Sequence, residues 1–493
     1  MFSGVDQKMC TGPQENVVEK LIPVYFRNFL HIDVNEVQEA CRQLELHDDQ
    51  LRLIMDNMNE RFENGLAAEP TNTAAIKMLP SYVRGLPDGT ERGEFLALDL
   101  GGTNFRALWV HLTDGEAEIT SEVFRVPDYI MKGTGEALFD HLAKCLAKFM
   151  EEHGLKGREK LPLGFTFSFP CKQERLNCAR LANWTKGFKA SGVEGVDVVE
   201  LLKDACARRG DIDVDVVAVI NDTVGTLMAG AYKENTCNIG VIAGTGSNAC
   251  YMEKVSNIEK INENSSSDHN EMCINIEWGA FGDDGALDFV RTKYDKIIDD
   301  GSINKGQQLF EKMVAGMYLG ELARVILEDL ARKGVLFGGE YEAISQHGIF
   351  PTKYISEIES EFQENQDSSC QFLKTREIFE DIGIPVVTSA DCAHVAYICS
   401  LVSRRAAHMV AAGIATLLKR INKPFVTVGV DGSVYRFHPT FAKLLDAKID
   451  ELLERKHKYK LMLAEDGSGR GAALVAAVAT RLANEHQDRK IQG

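Results

Sequence analysis

Three glycine-containing turns are candidates for binding phosphate, because each directly follows a short apolar run that is typical of a β-strand. The turns consist of Gly101, Gly102 and Thr103; Gly244, Thr245 and Gly246; and Gly432 and Ser433. Glycine has no Cβ atom, so the backbone can approach phosphate oxygens and successive N–H groups can point towards them. Asp99 precedes the first turn, where its carboxylate can hold Mg²⁺ through bound water. One such turn is typical of an ordinary hairpin, but three of them favour a phosphate site.

Asp222 is the candidate acid–base residue. It follows Asn221 at the end of an apolar run and precedes a stretch of small residues that predicts a helix. Open α/β sheets place their ligands at the carboxyl ends of strands, which is where this pair lies. Two roles fit the spacing equally well. Asp222 is either a general base for a hydroxyl group or the residue that caps the following helix.

Two other nucleotide-binding motifs are excluded. A P-loop requires a Gly-Lys dipeptide, which the chain lacks. Residues 244–249 (GTGSNA) fit the loose dinucleotide pattern, but that fingerprint needs a helix after the turn. Residues 250–255 (CYMEKV) predict a strand instead, so a Rossmann-type site is excluded.

The elements that must position these residues alternate between strands and helices. Apolar runs flank each of the first two turns, which predicts two β-hairpins and indicates two related halves. Apolar residues at helical spacing predict helices over residues 15–62, 307–332, 391–421 and 441–457. Pro and Gly cluster at residues 70–89, which is typical of a domain boundary, and residues 256–270 predict a surface loop. The alternation indicates an α/β protein.

Size and composition restrict the class of protein. A chain of 493 residues needs more than one core, since single cores stop growing at about 250–300 residues. Apolar residues make up 44% and charged residues 26%, which is typical of a soluble globular protein. The formal charge of −18 argues against nucleic acid or an anionic membrane as the main partner.

The cysteines and the apolar segments predict a cytoplasmic protein. The twelve cysteines form no Cys-x-x-Cys pair, which favours reduced, buried thiols over disulfides or a zinc site. The N-terminal residues lack the apolar stretch of a signal peptide. No apolar run is long enough to span a membrane.

Eight sequence blocks together resemble the hexokinase/glucokinase family. They are LDLGGTNFR (98–106), LGFTFSFP (163–170), NWTKGFKA (183–190), NDT (221–223), GTGSNA (244–249), EWGAFG (277–282), VGVDGSVY (428–435) and GSGRGAA (467–473). The resemblance runs in order from about residue 16 to residue 482, and the length is similar to that of a single catalytic unit. It implies an ATP-dependent hexokinase, which transfers the terminal phosphoryl group of MgATP to the 6-hydroxyl of glucose or a related hexose in the first step of glycolysis.

The resemblance also implies a fold. It is the actin-like, hexokinase-type α/β fold, in which two α/β domains enclose a cleft for sugar and ATP. The implied small domain covers residues 81–223 and regains the C-terminal segment 467–493. The implied large domain contains the N-terminal helices of residues 1–80 and residues 224–466.

Site residues follow from the same resemblance. Asp222 is similar to the base that accepts the proton of the 6-hydroxyl, and Lys186 to a residue near the transferred phosphoryl group. The implied sugar-binding set is Ser168, Thr185, Lys186, Asn221, Asp222, Asn248, Glu277 and Glu311. The implied ATP–Mg²⁺ site is Asp99, Gly101, Gly102, Thr103, Asn104, Gly244, Thr245, Gly432 and Ser433. No side chain is expected to bind Mg²⁺ directly, and the sugar contacts on both sides of the cleft predict that it closes around the sugar.

Two alternative functions stay open. Fructose, mannose or glucosamine can be the main substrate, because a pocket with Asn248, Glu277 and Glu311 accepts several hexoses that carry a 6-hydroxyl. A sugar sensor without turnover is the other alternative. The presence of Asp99, Asp222 and the glycine turns favours an enzyme.

Overall fold

The computed structural model describes residues 34–68, 74–101, 104–113, 117–158, 160–261, 270–364 and 372–492. The predictions for residues 15–33, for Gly102 and Thr103, and for residues 262–269 therefore lie outside the described residues. The described chain divides into two compact units. One contains the residues up to Glu45 together with Ala323–Val402, and the other contains Leu46–Leu322 and the residues from Ser403 onwards.

Helices and strands alternate along the described chain. The helices are α1 Val34–Cys41, α2 Asp48–Leu66, α3 Asp128–Met131, α4 Gly135–Glu152, α5 Val198–Arg209, α6 Asp222–Lys233, α7 Lys293–Gly301, α8 Leu309–Val314, α9 Gly316–Arg332, α10 Thr352–Glu364, α11 Leu373–Ile382, α12 Ser389–Ile421, α13 Ser433–Phe437, α14 Phe441–Leu452 and α15 Gly467–Gln492. The strands are β1 Leu79–Pro80, β2 Gly93–Leu100, β3 Asn104–Leu112, β4 Ala117–Arg125, β5 Pro162–Phe167, β6 Cys171–Arg175, β7 Cys178–Leu181, β8 Asp215–Ile220, β9 Cys237–Ala243, β10 Ser247–Lys254, β11 Glu271–Asn275, β12 Val426–Asp431 and β13 Tyr459–Leu463.

The two large sheets share one arrangement of five strands, to which the second sheet adds β1 at its edge. The first sheet runs β4-β3-β2-β5-β8 and the second runs β1-β11-β10-β9-β12-β13. In each, an antiparallel meander is followed by two parallel strands. This correspondence confirms the prediction of two hairpins in two related α/β halves.

The strand directions bring the predicted site residues to one edge of each sheet. In the first sheet β2, β5 and β8 are parallel, so the segments after Leu100, Phe167 and Ile220 lie at the same edge. In the second sheet β9, β12 and β13 are parallel, and β11 shares their direction because both β9 and β11 pair antiparallel to β10. The glycine turns and the polar residues that follow these strands are therefore neighbours in space.

Two helices fill the space between the sheets. One buried cluster joins Ala97 and Leu108 of the first sheet, Leu227 of α6, Cys250 of the second sheet and Ala473 of α15. The helices α6 and α15 contact each other through glycines: a Cβ atom on Gly471 would lie 2.2 Å from the Cα of Gly225. The opposite face of the first sheet is covered by α4 and α5. The limits of the predicted small and large domains stay a prediction.

Three helix predictions are wrong in their extent. The predicted helix 307–332 is broken at Ala315, because the N–H groups of Gly316 and Met317 donate to the carbonyls of Gly244 and Thr245 at 2.8 and 3.0 Å. The described part of the predicted helix 15–62 is interrupted before α2. The helix predicted over 441–457 ends as α14 at Leu452, after which two residues adopt positive φ angles.

Other predictions are confirmed. The predicted helix 391–421 exists as α12, and the Thr388 hydroxyl donates to the Asp391 carboxylate at 2.6 Å at its start. The cysteines in the described part of the chain are free thiols, and all of them except the half-buried Cys171 are buried. Within the same residues, no helix has both the length and the apolar character needed to cross a membrane.

Candidate active site

Asp222 is the first residue of α6 at the carboxyl end of β8. The preceding Asn221 caps this helix: its side-chain oxygen accepts the Thr223 N–H at 3.0 Å and the Thr223 hydroxyl at 2.8 Å. The alternative that Asp222 is the cap is therefore wrong. The half-buried carboxylate of Asp222 has no hydrogen-bond partner among the described residues, so it is available to accept a proton.

Glu277 and Glu311 bring two more carboxylates to this edge. Glu277 follows β11 with a left-handed backbone (φ 58°), and its Oε1 accepts N–H groups from Asn275 at 2.8 Å and Asn248 at 3.2 Å. Glu311 comes from α8, and its Oε2 accepts the Ser247 N–H at 3.1 Å. Two amides and one backbone N–H therefore fix the orientation of both carboxylates.

The electrostatics show that these acidic groups share one site. Burial raises the pKa of Glu277 to about 6, with smaller contributions from the charges of Asp222 and Glu311, while Asn275 and Lys186 oppose the rise. Burial also raises the pKa of Glu311, again opposed by Lys186 and reinforced by Asp222. Lys186 is therefore close enough to offset part of the negative charge.

Lys186 lies on a loop that aromatic side chains hold in place. Its backbone has φ 54°, and its Nζ donates to the Ser168 carbonyl at 2.9 Å. The neighbouring Trp184 stacks on Phe188 with ring centroids 5.3 Å apart. Thr185 is half-buried in the same turn. The buried Ser168 donates its N–H to the Leu100 carbonyl at 3.0 Å, so this loop is tied to the end of β2.

Asp99 lies near the end of β2, two residues before Gly101. The Ser468 hydroxyl donates to Asp99 Oδ2 at 2.7 Å. Burial raises the pKa of Asp99 to about 6, and Arg106 opposes the rise. That guanidinium is already paired with Asp466 through two hydrogen bonds of 2.5 and 2.9 Å. Asp99 is therefore a buried acid without a full ion-pair partner in the described chain.

The second and third glycine turns pack against each other without side chains between them. Gly432 has φ 117°, and a Cβ atom there would lie 2.5 Å from the carbonyl carbon and oxygen of Ala243. A Cβ atom on Gly244 would lie 3.1 Å from the Cα of Gly432. Asp431 accepts the N–H groups of Gly432 at 2.7 Å and Gly467 at 3.2 Å, which joins this turn to the start of α15.

The remaining predicted residues flank these turns. Thr245 and Ser433 are exposed at the two turns, Asn104 is exposed at the start of β3, and Gly101 lies against Ser168, where a Cβ atom would come within 3.1 Å. Most of the described site residues therefore lie at the two sheet edges, whereas Glu311 comes from α8 and Thr185 and Lys186 come from the loop after β7. Gly102 and Thr103 lie outside the described residues.

The donor set fits a hydrated magnesium–phosphate group better than a metal held by protein ligands. Within the described ranges, no group of three His, Cys, Asp or Glu side chains is arranged to hold a metal ion. A single buried carboxylate, a hydroxyl and a backbone cradle with no Cβ atoms are what a phosphate-bound Mg²⁺ with its own water shell requires.

Several residues of the site were not predicted. They are Asn275, Thr166, Asp431, Asp466 and Ser468. Asn275 offered a signal, since it is a polar residue at the end of an apolar strand, as Asn221 is. Asp466 and Ser468 flank the glycine of the GSGRGAA block, but their partners lie far away in the sequence.

Comparison with known proteins decides the family. Sequence models described as Hexokinase match residues 36–232 and 238–478. A solved hexokinase from Schistosoma mansoni in complex with glucose is 42% identical, with a TM-score of 0.82 over 93% of this chain and 99% of that protein.

This chain belongs to the hexokinase family.

Other hexokinases agree with this assignment. Human hexokinase-2 is 48% identical over 484 residues, which is 96% of this chain and 51% of that protein. Hexokinase-1 of Pongo abelii is 47% identical over 91% of this chain and 49% of its own length. The chain therefore spans about half the length of the curated hexokinases that it matches. The hexokinase-type α/β fold with two sheets is confirmed.

Proposed function

We propose that this hexokinase-family chain transfers the terminal phosphoryl group of MgATP to the 6-hydroxyl of glucose, giving glucose 6-phosphate and ADP. The observation that carries the proposal is the Asp222 carboxylate, which has no hydrogen-bond partner among the described residues. It lies at the start of α6, near the oriented carboxylates of Glu277 and Glu311.

Glucose is a neutral ligand whose hydroxyl groups donate and accept hydrogen bonds. Glu277 and Glu311 supply acceptors whose positions are set by amide and backbone N–H groups. Ser168 supplies a donor directly after β5, and Thr185 and Lys186 supply donors from the loop after β7. Asn221 and Asn248 complete the set. The glucose present in the S. mansoni relative supports this choice of sugar.

Asp222 acts as the general base in this proposal. It accepts the proton of the 6-hydroxyl as that oxygen attacks the terminal phosphorus of ATP, and ADP leaves on the opposite side. General-base contributions of this kind are about 10²–10⁴-fold in rate. Lys186 offsets negative charge near the transferred group.

The nucleotide lies along the glycine turns, where backbone N–H groups face its phosphates. The close approach of Gly432 to Ala243 supports this placement, since a side chain there would block the cradle. Asp99, which the Ser468 hydroxyl orients, would hold the hydrated Mg²⁺ through its water ligands. Mg²⁺ bound with ATP neutralises charge on the phosphates during transfer.

We propose that the two predicted domains close around the sugar. The small domain (81–223 with 467–493) carries Ser168, Lys186 and Asp222, and the large domain (1–80 with 224–466) carries Glu277 and Glu311. A sugar that contacts both sets draws the two sheet edges together and excludes water, which would otherwise compete as the acceptor. We further propose that the protein acts in the cytoplasm, in glycolysis and under allosteric control.

A coupled assay for ADP formation tests the function. Purified protein receives MgATP with glucose, fructose, mannose, glucosamine, 6-deoxyglucose or no sugar. We expect ADP formation with glucose and background rates with 6-deoxyglucose, which lacks the acceptor hydroxyl. A higher kcat/KM for another hexose would reassign the main substrate. No turnover with any sugar, in protein that binds glucose, would support a sensor and contradict the proposed reaction.

A further inference from the structure

Asn275 is a buried asparagine at the last position of β11. It lies on an inner strand of the second sheet, paired with Cys250 of β10 and Leu79 of β1, and it is 7% exposed. Two residues later the chain reaches Glu277. A buried amide must satisfy its own hydrogen-bonding groups, so its partners are informative.

The Asn275 amide joins the residues of the sugar-binding set. Its Nδ2 donates to Glu277 Oε1 at 2.8 Å, and its Oδ1 accepts from Asn248 Nδ2 at 2.9 Å. Asn248 Nδ2 donates in addition to Glu277 Oε1 at 3.2 Å. Two amides thus hold one oxygen of the Glu277 carboxylate. The other oxygen, Oε2, has no hydrogen bond within the described chain, and this leaves it available for a sugar hydroxyl.

Asn248 is itself held by the same group. Its Oδ1 accepts the N–H groups of Ala249 at 2.7 Å and Glu277 at 3.0 Å. Both of its N–H donors are taken by Asn275 and Glu277. Asn248 must therefore break a hydrogen bond within the protein before it donates to a sugar. Glu277 needs no such change, because its Oε2 has no hydrogen bond within the described chain.

Asn275 also reaches towards the proposed base. The Thr223 hydroxyl lies 2.8 Å from Asn221 Oδ1 and 3.4 Å from Asn275 Oδ1. Thr223 directly follows Asp222 at the start of α6. The Thr223 hydroxyl donates its one proton to Asn221, and its contact with Asn275 places the Asn275 amide beside the start of α6.

We propose that Asn275 is a positioning residue for the sugar: it holds one oxygen of Glu277 so that the other faces the sugar hydroxyls in register with Asp222. The inference rests on the proposed hexokinase function and adds a residue to that site. Asn275 does not touch the reacting atoms, and its role is exerted through Glu277.

The positioning role of Asn275 predicts a pH dependence of glucose binding, because Asn275 affects the pKa of Glu277. The Asn275 hydrogen bond lowers the pKa of Glu277, which burial raises to about 6. The facing groups are Asp222 of α6 and Glu311 of α8, which raise it further, and Lys186, which lowers it. On β6 the remaining neighbour is Cys171, whose thiol stays protonated because burial raises its pKa. Loss of the Asn275 N–H donor therefore raises the pKa of Glu277. The carboxylate is then protonated at a higher pH, where it accepts fewer hydrogen bonds from the sugar.

Calorimetric titration of glucose between pH 5.5 and about 8.5, which brackets the Glu277 pKa, tests the proposal. The variants are Asn275→Ala and the isosteric Asn275→Asp. At neutral pH we expect Kd for glucose to rise by about 10-fold or more, the effect of losing a hydrogen bond to a charged group. The loss of affinity on acidification should begin at higher pH than in the wild type. Asn275→Asp should show the larger shift, because it places a second acid beside Glu277.

Asn238→Asp is the matched control. Asn238 lies on β9 of the same sheet and is 5% exposed, and its side chain bonds within the described chain to Thr236 and Lys423. It should keep the wild-type Kd and pH dependence for glucose. Wild-type affinity in both folded Asn275 variants, or an equal loss at every pH, would overturn the positioning role. Turnover is measured on the same samples. A wild-type protein that binds glucose without phosphorylating it would contradict the proposed function. In that case the glucose titrations would still test the role of Asn275.

Discussion

Adjacent residues at the end of β8 perform different tasks. Asn221 caps α6 with its side-chain oxygen, which leaves the Asp222 carboxylate free of hydrogen bonds in the described chain. Because Asn221 supplies the cap, the Asp222 carboxylate is free for the role of general base that we propose.

Burial of the Asp99 carboxyl group lowers the stability of the folded protein at neutral pH. Because burial raises its pKa from 3.8 to about 6, the folded protein binds a proton there in a pH range where the unfolded chain does not. Its contribution to stability therefore falls as pH rises through that range and stays unfavourable at neutral pH. We expect Asp99→Asn to raise the free energy of unfolding at pH 7.5 by about 1–3 kcal/mol and to reduce turnover with MgATP.

Urea unfolding without ligands at pH 5 and about 7.5 measures this effect. The benefit of Asp99→Asn should be smaller at pH 5, where Asp99 is already largely protonated. Asp466→Asn is the control, and it should lower stability because it removes the partner of Arg106. A neutral-pH destabilisation by Asp99→Asn would contradict this account of the buried acid.

At the scale of elements, the contact between β9 and the end of β12 depends on Gly432. A Cβ atom there would overlap the Ala243 carbonyl at 2.5 Å, and φ 117° is unfavourable for any other residue. We expect Gly432→Ala to lower the free energy of unfolding by about 1–3 kcal/mol. It should also raise KM for ATP more than KM for glucose, because we propose that the nucleotide lies along this turn.

Gly429→Ala on the same strand is the matched control. A Cβ atom there would meet its neighbours at ordinary contact distances of 3.4–3.5 Å. Equal effects of the two substitutions on stability and on KM for ATP would show that the close approach of the turns has no special role.

The sequence predicts elements well where local patterns decide them. The apolar runs and glycine turns correctly predict the hairpins β2–β3 and β9–β10, since turn residues and strand pattern are both local. The break at Ala315 was not predictable, because it depends on hydrogen bonds to Gly244 and Thr245 in a distant turn. Asn275 was missed for the same reason: its partners Asn248 and Thr223 lie on other elements.

At the scale of the whole molecule, two sheets with the same arrangement of five strands present their polar edges to one site. Helices α6 and α15 pack between the sheets through close glycine contacts, so the base on α6 is placed where both edges contribute. Four carboxylates meet there, Asp99, Asp222, Glu277 and Glu311. ATP is strongly anionic, so the proposed binding of ATP beside these acids would require charge neutralisation, for which Mg²⁺ and Lys186 are the groups that we propose.

We propose that Asp222 removes the proton from the sugar in this site. This role is tested by kcat of the isosteric variant Asp222→Asn at saturating glucose and MgATP, with the glucose Kd measured on the same sample. We expect a kcat at least about 100-fold below that of the wild type and a glucose Kd close to the wild-type value. Turnover at the wild-type rate would contradict the assignment of Asp222 as the base.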